Sequence, residues 1–124
     1  MADNVPHQVA EAGLKAFEDH YNDDDTAFCG ACYTKECHVT VNGGADAGGF
    51  GPFKTPDEVA AFLNSLRNEL GGTNIHFTLQ SVDGRNSKDT WVADNGTGAC
   101  DADWVQEDGQ WKMTRDAITF TPKA

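Results

Sequence analysis

The chain has 124 residues and a mass of 13.4 kDa, the size of one domain and too short for two, so a single domain over residues 1–124 is expected. Apolar residues make up 39% and charged residues 23%, enough for a modest core. With 20 acidic against 9 basic side chains the net charge is -11, which repels a phosphate backbone or an anionic membrane, and no apolar run approaches the roughly 18 residues that span a bilayer. Nucleic acid and membrane are therefore not expected as partners.

Met1-Ala2-Asp3-Asn4 carries an acid and no apolar segment follows it, so no secretory signal is expected and the chain reads as cytoplasmic. Asn4 or Asp3 can cap a helix whose first turn holds Pro6. Ala10, Leu14, Phe17 and Tyr21 then form one apolar stripe at helical spacing, ended by Asn22-Asp23-Asp24-Asp25. Asp25 can cap a short second helix running to Tyr33, with Phe28, Cys29 and Cys32 on its buried side. Val39 and Val41 alternate with Thr40 and Asn42 as a short strand, and the glycine-rich stretch from Gly43 to Phe53 reads as a flexible flap.

Thr55-Pro56-Asp57-Glu58 is a full capping box, and Val59, Phe62, Leu63, Leu66 and Leu70 give the helix behind it a buried face that Gly71-Gly72 ends. From there the period drops from 3.6 to 2. Ile75, Phe77 and Leu79 alternate with polar residues, and Asp83-Gly84 marks a turn. Further strands start near Thr90 and cover about Ala99 to Gln106. Glu107-Asp108-Gly109 is a hairpin turn into a last strand from Gln110 to about Thr121. Trp111 and Met113 have the opposite parity to Ile118 and Phe120, so a bulge is predicted between Thr114 and Ala117. Helices first and an antiparallel sheet after them point to an α+β fold.

Cys29 and Cys32 form a C-x2-C pair with Cys37 and His38 nearby, a spacing compatible with a redox pair or half a zinc site. Only the isolated Cys100 follows, so the favoured reading is four packed thiols. Asp23, Asp24 and Asp25 lack the alternation of a calcium loop, and the glycines of the flap lack the context of a nucleotide loop. No metal or cofactor is expected.

Phe17 to Asp25 (FEDHYNDDD), Tyr33 to Val41 (YTKECHVTV), 55 to 66 (TPDEVAAFLNSL) and 107 to 120 (EDGQWKMTRDAITF) follow one another in an order and spacing that cover almost the whole chain. Together they resemble the nuclear-transport-factor-2-like (NTF2-like) superfamily, especially its SnoaL-like and ketosteroid-isomerase-like branches. The resemblance implies a cone in which three N-terminal helices close over a strongly curved, mostly antiparallel sheet and leave a pocket. It also implies a homodimer through the outer face of the sheet. It does not choose a function, because the superfamily holds isomerases, cyclases, dehydratases and association domains. The isomerase branch fits poorly. Its oxyanion-hole tyrosine falls on Phe17 and its general base on Val41, and its third polar group aligns only loosely with Asp101 or Asp103.

Asp116 shares parity with Ile118 and Phe120, so it is a candidate for an acid or base facing the pocket, with His76 or His38 as the other half of an Asp-His pair. Phe17, Tyr21, Tyr33, His38, Trp91, Trp104 and Asp101 are candidates for contacts to a ligand, the tryptophans as stacking surfaces and the tyrosines as hydroxyl donors at a rim. The expected function is binding of a small apolar or aromatic molecule. The alternatives are a SnoaL-like isomerase, cyclase or dehydratase using the Asp-His pair, and an association module.

Overall fold

The structure, a computed structural model, describes residues 4–43, 49–70 and 73–122, without the side chains of residues 69, 70 and 122. Gly44 to Gly48 of the predicted flap, the Gly71-Gly72 stop, the Leu70 side chain and the alternative cap Asp3 lie outside the described residues. The elements run α1 (His7–Asn22), α2 (Thr26–Ala31), β1 (Tyr33–Gly43), β2 (Gly49–Phe53), α3 (Pro56–Ser65) with a π turn (Leu66–Leu70), β3 (His76–Asp83), β4 (Asn86–Ala93), β5 (Gly96–Glu107) and β6 (Gln110–Pro122).

Ala10, Leu14, Phe17 and Tyr21 of α1 are buried as their spacing demands. Pro6 occupies the cap position with no side-chain hydrogen bond, so Asn4 does not cap the helix. Asp25 does cap α2, accepting from the Phe28 N–H at 3.2 Å. That helix stops at Ala31, and Tyr33 opens β1 instead of closing the helix. Thr55 caps α3, its Oγ1 accepting from Glu58 N at 3.2 Å, and the return bond of the capping box falls one residue before the cap, where Glu58 accepts from Lys54 N at 2.9 Å. Gly30 brings α2 against Pro56 and Ala60 of α3, where a Cβ on Gly30 would lie 2.9 Å from the Ala60 Cβ.

The six strands form one sheet in the order β2-β1-β6-β5-β4-β3, with β1 and β6 parallel and every other pair antiparallel. This corrects the expectation of a strongly curved, closing sheet. The α+β class and the mixed sheet stand, but the sheet is open and not strongly curled, because β2 and β3 at its two ends do not pair. Polar groups on the β3 edge that closure would pair are taken by α1: Glu18 accepts from Phe77 N at 2.8 Å, and Asn22 accepts from Ile75 N at 2.8 Å and donates to Ile75 O at 3.0 Å. The helices are not all N-terminal to the sheet either, since α3 follows β1 and β2.

The predicted bulge is present. Arg115 pairs with Asp103 but Met113 pairs with Trp104, so Thr114 is the extra residue on β6. It lets Met113 on one side and Asp116, Ile118 and Phe120 on the other all turn to the buried face. Asp108 and Gly109 take positive φ angles of 54° and 78° in the β5–β6 turn, a backbone that suits their residue types. Cys29, Cys37 and Cys100 are buried in the core and Cys32 is half-buried, all four as free thiols. Among the described residues no helix is long and apolar enough to cross a membrane.

Candidate functional site

The period-2 alternation of the sheet decides what meets the helices. On β4 it turns Ser87, Asp89, Trp91 and Ala93 inward, on β5 Cys100, Ala102 and Trp104. After the Thr114 bulge β6 turns Asp116 inward as well. Asp89 pairs with Cys100 and Asp116 with Ala102, so the two acids stand on either side of β5. They are 2% and 4% exposed, as buried as the apolar core around them. Both line one interior cavity of about 30 Å³, walled by Leu14, Phe17 and Tyr21 of α1, Tyr33 of β1, Phe77 of β3 and Trp91 of β4. That space admits one or two groups the size of a water molecule.

A buried carboxyl is costly unless hydrogen bonded or neutral. Asp116 Oδ2 accepts from the Tyr33 hydroxyl at 2.6 Å, while its Oδ1 has no hydrogen-bond partner among the described residues; Asp89 Oδ1 has none either. Burial, reinforced by the charge of Asp116, pushes the Asp89 carboxyl up to about 8. Burial also pushes Asp116 up to about 7, with the Tyr33 hydrogen bond and the Arg115 charge across the sheet holding it lower than burial alone would. Burial raises the Tyr33 hydroxyl and the Cys100 thiol well above their ordinary ranges, so both stay neutral. No Lys, Arg or His is among the cavity's lining residues. The arrangement therefore presents two carboxyl groups that change protonation near neutrality to whatever enters an aromatic-walled space, with one of them aligned by a tyrosine.

Of the residues singled out in the sequence, Asp116, Phe17, Tyr21, Tyr33 and Trp91 come together around this cavity. Tyr33 is not at a rim: its hydroxyl is spent on Asp116. Trp91 stacks on Phe120 at 5.8 Å with rings 4° apart. Trp104 is buried elsewhere, its indole N–H donated to Ser87 Oγ at 2.8 Å, and with Trp111 and Phe28 it lines a separate surface groove. Asp101 is on the outer face of the sheet, where Arg115 donates to it at 2.8 Å and to Asp103 at 2.6 Å. His38 is exposed on β1. His76 is also exposed and its carboxylate partner is Glu18, with Nδ1 3.1 Å from Oε1. The structure does not bring either histidine to Asp116. Asp89 is the member sequence reasoning missed. Its signal was there: it shares parity with Trp91 and Ser87 on the same strand.

A six-stranded mixed sheet with its parallel β1–β6 pair, three helices against one face and an interior cavity between the layers is a recognisable architecture, and solved structures share it over nearly the whole chain. The chain has the NTF2-like fold. An NTF2-like protein of unknown function from Shewanella oneidensis matches with a TM-score of 0.66 and 18% identity, over 93% of this chain and 99% of that one. A proposed scytalone dehydratase from Novosphingobium aromaticivorans matches with a TM-score of 0.62 and 18% identity, over 92% of this chain and 83% of the other. The β subunit of a proposed aromatic-ring-hydroxylating dioxygenase from the same organism gives 0.67 at 9% identity, over 94% and 90%. No protein-family model and no curated protein matches the sequence. At these identities the matched structures establish the fold and leave activity to the site.

Proposed function

We propose that this NTF2-like chain binds a small, largely apolar molecule between its helices and its sheet and presents Asp116 and Asp89 to it. One observation carries this reading: two fully buried carboxyls, each with an unpartnered oxygen, line the same aromatic-walled cavity. A fold gains no stability from such a pair, since each acid costs desolvation free energy that an apolar residue of similar size would not. Functional sites are where such costs persist.

The test is a fragment screen by NMR on protein labelled with ¹³C at the aspartate carboxyls. Binders are expected to shift the Asp89 and Asp116 resonances together. A screen in which every binder leaves both unmoved would overturn the reading.

Acid–base chemistry of the SnoaL-like kind is a second reading, favoured by the Tyr33–Asp116 hydrogen bond. That bond aligns a carboxyl whose protonation changes near neutral pH, the range in which a general acid or base works best. Asp116 with Asp89, not with a histidine, supplies the pair. The dehydratase-like neighbour is compatible with such a reaction. Association through the outer face of the sheet, including the homodimer, finds less support. That face carries the Arg115, Asp101, Asp103 and Asn86 network, and the exposed large apolar side chains among the described residues are Phe28, Phe50 and Val92.

A further inference from the structure

Resting on the binding site just proposed, we infer that its polar end receives the ammonium head of a small amine, held between Asp89 and Asp116 with its carbon body against the aromatic wall. Three features of the site point to a cation. The unpartnered Oδ1 atoms of Asp89 and Asp116 are acceptors when ionised, and an ammonium group supplies up to three N–H donors together with the compensating charge. Phe17, Tyr21, Tyr33 and Trp91 line the same cavity, and aromatic rings attract a cation through their quadrupoles. No basic residue lines the cavity to compete for the acids or to welcome an anion. A charge of -11 on the chain draws cations toward it over longer distances.

The size is also right. A space of about 30 Å³ fits a head group as large as water but not a whole organic molecule, so the carbon body must lie toward a wall that can give. Leu14 and Phe77 form that wall. They line both the interior cavity and a groove of about 420 Å³ between α1 and β3, along which Glu11 and Glu18 stand with Lys15 and His76, both of them partners of Glu18. Phe77 is half-buried on the edge strand, held edge-on to Phe17 at 5.5 Å. Turning it aside would join groove and cavity, and the amine's path would pass Glu11 and Glu18 at the mouth before reaching the two buried acids.

The experiment is calorimetric titration at neutral pH with benzylammonium chloride, benzyl alcohol and sodium benzoate. It uses the wild-type chain, Asp89→Asn, Asp116→Asn, and Phe77→Ala, which opens the wall without touching either acid. Benzylammonium is expected to bind at least about tenfold more tightly than benzyl alcohol, and benzoate not at all. Each Asn variant is expected to lose at least about tenfold of the amine's affinity and little of the alcohol's, and Phe77→Ala to bind the amine at least as well as wild type. If the alcohol binds as tightly as the amine and the Asn variants do not distinguish them, the ammonium inference falls while the binding site stands. If no probe binds wild type or Phe77→Ala, the inference falls and the binding reading falls with it.

Discussion

Asp116 and Asp89 show how a single side chain can set the pH behaviour of the whole chain. Both carboxyls sit above the ordinary aspartate value, Asp116 at about 7 and Asp89 at about 8. Between about pH 4 and pH 8 these two groups therefore hold more protons in the folded chain than in the unfolded one, and their contribution to stability falls as pH rises through that window. Urea denaturation across it should show the highest midpoint on the acid side of neutrality, above the range where exposed carboxylates protonate. Asp116→Asn keeps an acceptor for Tyr33 and removes the buried charge. It is expected to raise stability at pH 8 by about 1–3 kcal/mol and to flatten the pH dependence, measured in the same titration. A destabilised variant with an unchanged pH profile would mean that Asp116 is an ordinary structural acid. The parity of Asp116 was legible in the sequence. Its partner was not, because Tyr33 and Asp116 are 83 residues apart and meet only through the β1–β6 pairing.

At the scale of elements, β6 is where one residue decides the site. Without Thr114 the strand's alternation would carry Asp116, Ile118 and Phe120 to the outer face while Trp111 and Met113 kept their positions. Deletion of Thr114 is expected to expose two large apolar residues, to remove Asp116 from the cavity and to cost more than the chain's margin of stability. Circular dichroism should then show loss of the cooperative thermal transition. A deletion variant that still melts cooperatively near the wild-type temperature would show that β6 can slip and that the bulge is not what holds Asp116 inside. This feature was legible because opposite parities on one strand admit only a bulge. The length of β1 was less so. Eleven residues form the strand, yet only Val39 and Val41 advertise it, since Tyr33 to His38 alternate poorly and are tied to the sheet where Tyr33 and His38 pair with β6. The capping box of α3 was plain for the opposite reason, being a local pattern that needs no distant partner.

For the whole molecule, net charge governs what happens outside the core. The excess of acids repels itself in the folded state, and the outer face of the sheet answers only locally: hydrogen bonds from Asn86 and then Arg115 hold Asp101 below its ordinary value, Arg115 does the same for Asp103, and the two acids raise Arg115 in return. Raising the ionic strength from about 10 mM to about 200 mM shortens the Debye length from roughly 30 Å to under 10 Å. The urea midpoint at pH 8 is expected to rise with that change. A midpoint that falls would mean that the ion pairs of the outer face outweigh the net repulsion. The openness of the sheet is a property of the same scale. It follows from α1 satisfying the β3 edge through Glu18 and Asn22, contacts made across more than fifty residues of chain.

The sequence by itself determined what depends on neighbours along the chain: the stripe of α1, the cap of α3, the turns at Asp83-Gly84 and Asp108-Gly109, the bulge of β6, and through their order the α+β class. Only the tertiary structure decided what depends on separate strands meeting: the open sheet, the pairing of His76 with Glu18 instead of Asp116, and the placing of Asp89 and Asp116 on one cavity from either side of β5. The physical reason is range. Helix caps, turns and parity are fixed by hydrogen bonds and sterics over a few residues, whereas a buried acid acquires its partners and its raised pKa only when distant strands close water away from it.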